Sequence, residues 1–319
     1  MLRKTFDVRA RQGAAVASAA LFALLVGAHL QGQALSYTKG QPVHPAFEGW
    51  EKNADGSFSM LFGYMNDNWD ETPNVPVGPD NGFDLLGADQ GQPTHFLPRR
   101  NRFVFKVRVP ADFGTKELVW TLKTNGVVEK AYASLKPDYF TDDVVIASET
   151  GALGAGSSNP ALRANKPPTI KIDGEKKRTV KVGEPVALAA IVTDDGVPKA
   201  RNLAPNYKPD PQAVAKRAMM PLHQVRLTVQ KVVGLHATWF VYRGAGKVTF
   251  DPVQVKPWED TRPSANSPWA ALWQPPAVPA GGRYEARATF NEPGTYVLRA
   301  RADDGALLGD DELTVVVTP

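Results

Sequence analysis

Three groups of carboxylates in the C-terminal half stand where turns are expected. Thr193-Asp194-Asp195-Gly196 follows one apolar strand pattern, Asp303-Asp304-Gly305 follows another, and Asp310 and Asp311 precede the last. Like charges packed this closely repel unless a cation or hydrogen-bond donors neutralise them. Calcium takes six to eight oxygen ligands, mostly carboxylates and carbonyls. Asp194, Asp195, Asp303, Asp304, Asp310 and Asp311 are therefore the candidate metal ligands, with Ca²⁺ the candidate cofactor. No EF-hand spacing accompanies them. Asp-Asp-Gly is also plain turn chemistry, in which Asp caps its own backbone and Gly supplies φ > 0.

Trp258, Trp269 and Trp273 lie in a proline-rich stretch, residues 257–282. Ser267-Pro268 is a helix start, with Ser as N-cap and Pro at N1. A short helix from there puts Trp269 and Trp273 on one face. Paired indoles on a surface turn would stack on sugar rings or anchor a partner, and a loop folded back over a sheet edge would bury them instead.

Catalytic patterns are sparse. Beyond the N-terminal region only His44, His95, His223 and His236 remain, and no two stand at metal-ligand spacing. Gly154-Ala155-Gly156-Ser157 is not a Gly-x-Ser-x-Gly elbow. His95 lies near Arg99, Arg100 and Arg102, which would suit an anion or an ordinary surface basic cluster. Paired glycosidase carboxylates have no characteristic spacing in sequence, so a secreted hydrolase with a site between domains stays an alternative.

The elements that must position these residues are strands. Residues 148–168, rich in Gly, Ala, Ser and Pro without a strand or helix period, read as a linker between domains 35–147 and 169–319. In the first domain Asp55-Gly56 separates two strands, and Phe58, Met60, Phe62 and Tyr64 share a face of the second. Phe103, Phe105, Val107 and Val109 alternate with Lys106 and Arg108. Leu118, Trp120 and Leu122 precede Asn125-Gly126, the pair that a two-residue hairpin needs. The long stretch 66–98 carries Trp69, Phe83 and Phe96, which would pin it to its own sandwich. In the second domain residues 180–192 form the first core strand, with Val186, Leu188, Ala190 and Val192 on one face. Trp239 lies in a strand over 236–243, and Tyr296, Leu298 and Ala300 alternate in a later one. An insertion at 197–222 has a helix signal of its own at Asp210-Pro211. The expected fold is all-β: two antiparallel sandwiches with short helices in loop insertions.

The second domain resembles the immunoglobulin-like fold: a core strand, a Trp strand, then a Tyr two residues before a core position, as in the tyrosine corner. Leu298 stands where antibody domains have their second Cys, and Leu188 or Ala190 where they have the first. The disulfide is missing, as in many bacterial immunoglobulin-like and PKD-like modules. In that fold the loops after the two relevant strands share one end, so the resemblance implies that the Asp194-Asp195 and Asp303-Asp304 pairs converge. The first domain, with DNGFD, GQPTHFLPRRNRF and VPADFGTKELVW, resembles secreted bacterial proteins without assigned activity.

Arg3, Lys4, Arg9 and Arg11, an apolar run from Ala14 to Ala28, and Gly32-Gln33-Ala34 form the layout of a signal peptide over residues 1–34. The run is short for a bilayer span, and a retained membrane anchor is the lesser alternative. The formal net charge of +4 falls close to zero once those basic residues and Asp7 are removed, which gives nucleic acid no footing as a partner. The basic stretch 171–181, with Lys176, Lys177 and Arg178, reads as a solvated turn. The absence of cysteine excludes a disulfide framework, thiol chemistry and a lipoprotein anchor. No later segment is long and apolar enough to span a membrane. The sequence thus predicts an exported, periplasmic or secreted, non-catalytic binding or structural module. Its partner would be an extracytoplasmic protein or a polysaccharide, and a carbohydrate-binding module using the 257–282 tryptophans is the first alternative.

Overall fold

The computed structural model describes residues 37–149, 159–199, 234–258 and 276–319. Residues 1–34, read from the sequence as a signal peptide, residues 200–222 of the expected insertion, Trp269 and Trp273 lie outside them.

The first sandwich pairs two antiparallel sheets. One has the order β1-β2-β4, from β1 (Val43–Lys52), β2 (Phe58–Asn66) and β4 (Arg99–Val109). The other has the order β3-β5-β6, from β3 (Asn81–Phe83), β5 (Leu118–Thr124) and β6 (Val127–Ala133). Asn125 and Gly126 both take left-handed φ, 48° and 81°, and close β5 onto β6 with Thr124 opposite Val127. Met60, Phe62 and Tyr64 face the core, as the alternation predicts, together with Val107 and Val109. Phe103 departs from the expected face. The register slips between Phe62 and Tyr64 on β2, Phe103 adopts φ 51°, and its ring joins Leu61 on the outer side. That outer side is covered by the helix Asp143–Glu149, through Ile146 and Ala147.

The stretch 66–98 is held to the sandwich by rings and amides. Phe83 and Phe96 stack on Trp120, with ring centroids 6.0 and 6.4 Å away. Buried Asn81 donates to the carbonyls of Val75 (2.9 Å) and Pro93 (2.8 Å) and accepts from Trp120 Nε1 (3.0 Å). Asn66 does the same for Glu71 and Phe96. These side-chain amides replace the ladder that an irregular backbone cannot make for itself.

The second sandwich has β7 (Thr169–Ile172), β8 (Lys177–Lys181), β9 (Pro185–Thr193), β10 (His236–Arg243), β11 (Val248–Asp251), β12 (Arg283–Phe290), β13 (Gly294–Asp303) and β14 (Leu308–Thr318). Its sheets run β11-β12-β9-β7 and β10-β13-β14-β8, with β8 parallel to β14. The strand expected over 180–192 is split. Gly183, at φ 81°, turns the chain so that β8 and β9 enter opposite sheets.

Trp239, Leu188, Tyr296 and Leu298 are buried in one core. Tyr296 Oη donates to the Glu292 carbonyl at 2.9 Å, closing a tyrosine corner. Two glycines make room for that ring: a Cβ at Gly244 (φ 125°) would come within 2.5 Å of Tyr296 Cδ1, and one at Gly246 within 2.0 Å of its hydroxyl. Trp239→Ala is expected to cost about 3–5 kcal/mol in denaturant titration, the range for deleting a buried large aromatic. Tyr296→Phe removes only one hydrogen bond and should cost about 1 kcal/mol.

Candidate functional site

The two sandwiches meet through the outer face of the sheet containing β10. Phe240 and Tyr242 leave the second core and enter the first. Residues 89–96 of the first sandwich clasp the end of β10. The amides of Thr94 and His95 each donate to the Tyr242 carbonyl at 3.2 Å. Tyr242 Oη donates to the Gly91 carbonyl (2.5 Å), and Arg243 donates to the Gln92 carbonyl (2.9 Å) and to both oxygens of Asp89 (3.0 and 2.8 Å). His95 is driven down to about 4 by burial, with a Gly244 backbone contact opposing. Its ring is therefore neutral at ordinary pH.

Beside this clasp Arg299 and Arg301 are buried on the same face. Arg299 lies 3.4 Å from the Tyr242 ring centroid, bonds Glu312 (2.5 Å) and donates to the Val104 carbonyl of the first sandwich. Arg301 grips Asp310 with two 2.8 Å bonds. Burial pushes Asp310 up, and Arg301 and Arg299 outweigh it, leaving the carboxyl below its usual value.

Next to this network a cleft of about 420 Å³ opens between the sandwiches, with Leu61, Phe103, Ile146 and Leu307 among its apolar lining and Asp143 and Glu312 among its charges. Burial holds Asp143 above the usual carboxylate value, against the pull of Lys166. Among the described residues no Ser, Thr or His lines the cleft. Its arginine is committed to Asp310 and Glu312, and Lys106 to Glu51.

Both Asp-Asp-Gly turns reach the chain that connects the sandwiches. Asn165 Nδ2 donates to Asp304 Oδ2 at 3.0 Å, and the Lys166 amide to Asp195 Oδ2 at 3.1 Å. The carboxylates do not gather into one centre. Asp194 takes the Gly196 amide, Asp195 also the Val197 amide, and Asp303 the Gly305 amide. Asp311 takes Lys176 and the amides of Ile172 and Glu312. Among the described residues no three His, Asp or Glu side chains stand close enough to hold a metal ion. In this arrangement the partners of these carboxylates are backbone amides, the Asn165 carboxamide, the Lys176 ammonium and the guanidinium groups of Arg299 and Arg301.

Trp258 is buried, with the Lys256 ammonium 4.7 Å from its ring centroid. The chain before it lies along β10, where Thr238 Oγ1 donates to the Val255 carbonyl and Trp239 N to Gln254 Oε1. Trp258 is thus drawn into the fold rather than displayed on the surface. The histidines stay apart: His44 contacts Asp67 and Glu129, His236 contacts the Gly234 carbonyl, and His223 lies outside the described residues. The arginines near His95 are engaged as well. Arg99 bonds the Asp67 carbonyl, Arg100 bonds Glu48 and Arg102 bonds Glu149. The clasp and the buried arginines were missed from sequence. The run Trp239-Phe240-Val241-Tyr242, apolar on both faces, was the available signal.

No family model and no curated protein matches the chain. Among solved structures it is similar to the N-terminal eight Ig domains of Down Syndrome Cell Adhesion Molecule (8% identity, TM-score 0.21). That match covers 87% of this chain and 27% of that one. It is also similar to domains 4 and 5 of the S-layer protein SbsC (9%, TM-score 0.22, covering 88% and 98%). An I-band fragment of titin matches at 9% and TM-score 0.21, covering 86% and 64%. The chain spans about a quarter of the DSCAM structure. At these values the class rests on the strand order: β7, β9, β12 and β11 in one sheet face β8, β14, β13 and β10 in the other. That is an immunoglobulin-like β-sandwich.

Proposed function

We propose that the chain is an exported, non-catalytic binding or structural module of the cell envelope, two sandwiches acting as one body. The observation that carries this is the clasp around Tyr242, which places a side chain of one sandwich in the core of the other. A joint of that kind fixes the relative placement of surfaces, which suits holding or spacing a partner. The charged side chains at the joint are spent on structure, as the pairing of Arg299 and Arg301 illustrates. No helix among the described residues is long and apolar enough to cross a membrane. A pull-down from the native envelope should recover a protein or polysaccharide partner. Turnover of model esters or glycosides by purified protein, lost on mutating Asp143, would favour the hydrolase alternative. N-terminal sequencing of native protein should begin at Leu35; a start at Met1 would favour a retained anchor.

One observation favours the carbohydrate alternative, at a place the tryptophan pattern did not indicate. Tyr139 and Phe140, on the turn Pro137–Tyr139 and just after it, are 47% and 50% exposed. They pack edge-on against Phe47 and Trp50, at 5.4 and 5.2 Å. Half-exposed rings held by neighbours are fit to stack on a flat apolar face. Tryptophan fluorescence titrated with a polysaccharide panel should respond in wild type and not in Tyr139→Ala/Phe140→Ala; no response to any polysaccharide would remove this alternative.

A further inference from the structure

We propose that the cleft between the sandwiches binds a small apolar ammonium compound, with the Asp143 carboxylate as its counter-charge and the Phe103 ring in its wall. This adds a ligand to the binding module proposed above and does not depend on what that module holds.

The cleft, about 420 Å³, falls in the size range of small-molecule sites. Leu61, Ile146 and Leu307 make part of its surface apolar, and they belong to one buried cluster that bridges the sandwiches. The charges in its lining are Lys106, Asp143, Arg299, Asp310 and Glu312. All but Asp143 are matched. Arg299 bonds Glu312 at 2.5 Å and lies 3.4 Å from Asp310, Arg301 bonds Asp310 at 2.8 Å, and Lys106 bonds Glu51 at 2.6 Å. Among the described residues no cation is paired with Asp143. Burial raises its carboxyl; Lys166 and Lys106 oppose this by charge alone, and Glu51 and Asp142 add to the rise. One negative charge is thus left unmatched beside an apolar surface. A carboxylate in such a recess is stabilised by a cation that reaches it. An ammonium group on an apolar body meets both features, whereas an anionic ligand would face a like charge.

Phe103 points the same way. A bulky residue at φ 51° is a backbone outlier. Strain of this kind persists only where the surroundings hold it, and it gathers at ligand sites. Here it has a definite consequence. Strict alternation along β4 would put Phe103 on the core side with Phe105, Val107 and Val109. The register slip opposite Phe62 and Tyr64 instead carries its ring to the outer side, into the lining of the cleft. An aromatic ring there adds to the attraction for an ammonium, which the π face favours.

Calorimetric titration of the full chain at neutral pH tests this, with phenethylammonium as the probe and phenethyl alcohol and hydrocinnamate as its neutral and anionic analogues. The ammonium should bind at least about tenfold more tightly than the alcohol, and hydrocinnamate should not bind. Asp143→Asn keeps the shape of the side chain and removes a carboxyl that has no partner, so it should fold at least as well as wild type. It should abolish the preference for the ammonium and leave the alcohol unaffected. Phe103→Leu should weaken the ammonium more than the alcohol. Equal affinity for ammonium and alcohol, or ammonium binding unchanged in Asp143→Asn, would overturn the site. If the variants fail to fold, methyl NMR of wild type decides: phenethylammonium should shift Leu61, Ile146 and Leu307, and binding that shifts none of them overturns the site. No saturation by about 10 mM ammonium would overturn it too. A partner recovered by pull-down alongside that result would leave the binding-module reading standing.

Discussion

Arg299→Ala is expected to destabilise the protein by about 3–5 kcal/mol, the range for breaking a buried ion pair from one side. The loss goes beyond one contact. Glu312 Oε1 loses both of its guanidinium donors, Asp310 keeps only Arg301, the Tyr242 ring loses its cation, and the Val104 carbonyl loses a donor across the joint. Arg299→Met combined with Glu312→Gln should recover much of that loss, because it removes the stranded charge and keeps the packing volume. Denaturant titration checks both variants. A loss below about 1 kcal/mol for Arg299→Ala would mean that the joint does not depend on this network.

Trp120→Ala carries the other large effect, about 4–5 kcal/mol, at the upper part of the range for a buried tryptophan. Its ring is the centre of an aromatic group. Phe83 and Phe96 stack on it, while Phe62 and Phe105 meet it edge-on at 6.0 and 5.0 Å. Deleting it opens a cavity among rings from both sheets, and the surrounding strands are too tightly packed to refill it. It also strands Asn81 Oδ1, which fixes the stretch 66–98. Trp120→Phe keeps most of the volume and should cost about 1–3 kcal/mol, chiefly for the orphaned oxygen. Near-ultraviolet circular dichroism should show the aromatic signal collapse only in the alanine variant.

The contrast between strands explains what the sequence made legible. Phe58, Met60, Phe62 and Tyr64 alternate with a polar or small residue on two of three steps, Ser59 and Gly63 but not Leu61, so their core face was readable. Trp239 and Tyr296 were readable from the immunoglobulin-like pattern. β10 was readable as a strand but not as a joint, since both of its faces are covered and alternation vanishes. Arg299 and Arg301 alternate with Leu298 and Ala300, which reads as an ordinary solvent face. The register puts them opposite Glu312 and Asp310, and a second sandwich covers them. Asp310 thus offered its charge to sequence reading but not its partner, which is set by pairing across β13 and β14. The segment ending at 168 reads as a spacer because its composition is that of one. Asn165 and Lys166 nevertheless tie it to both acidic turns through bonds to residues far away in sequence.

The position of β14 bears on how the protein would carry a mechanical load. This strand lies inside its sheet, antiparallel to β13 along Leu308–Val317 and parallel to β8 along Thr314–Thr318. A force pulling on Pro319 along the strand cannot peel it away one hydrogen bond at a time, as it could an edge strand. It must shear two ladders at once, with the bonds lying across the direction of pull. Tension carried by β14 would therefore load both of its ladders together.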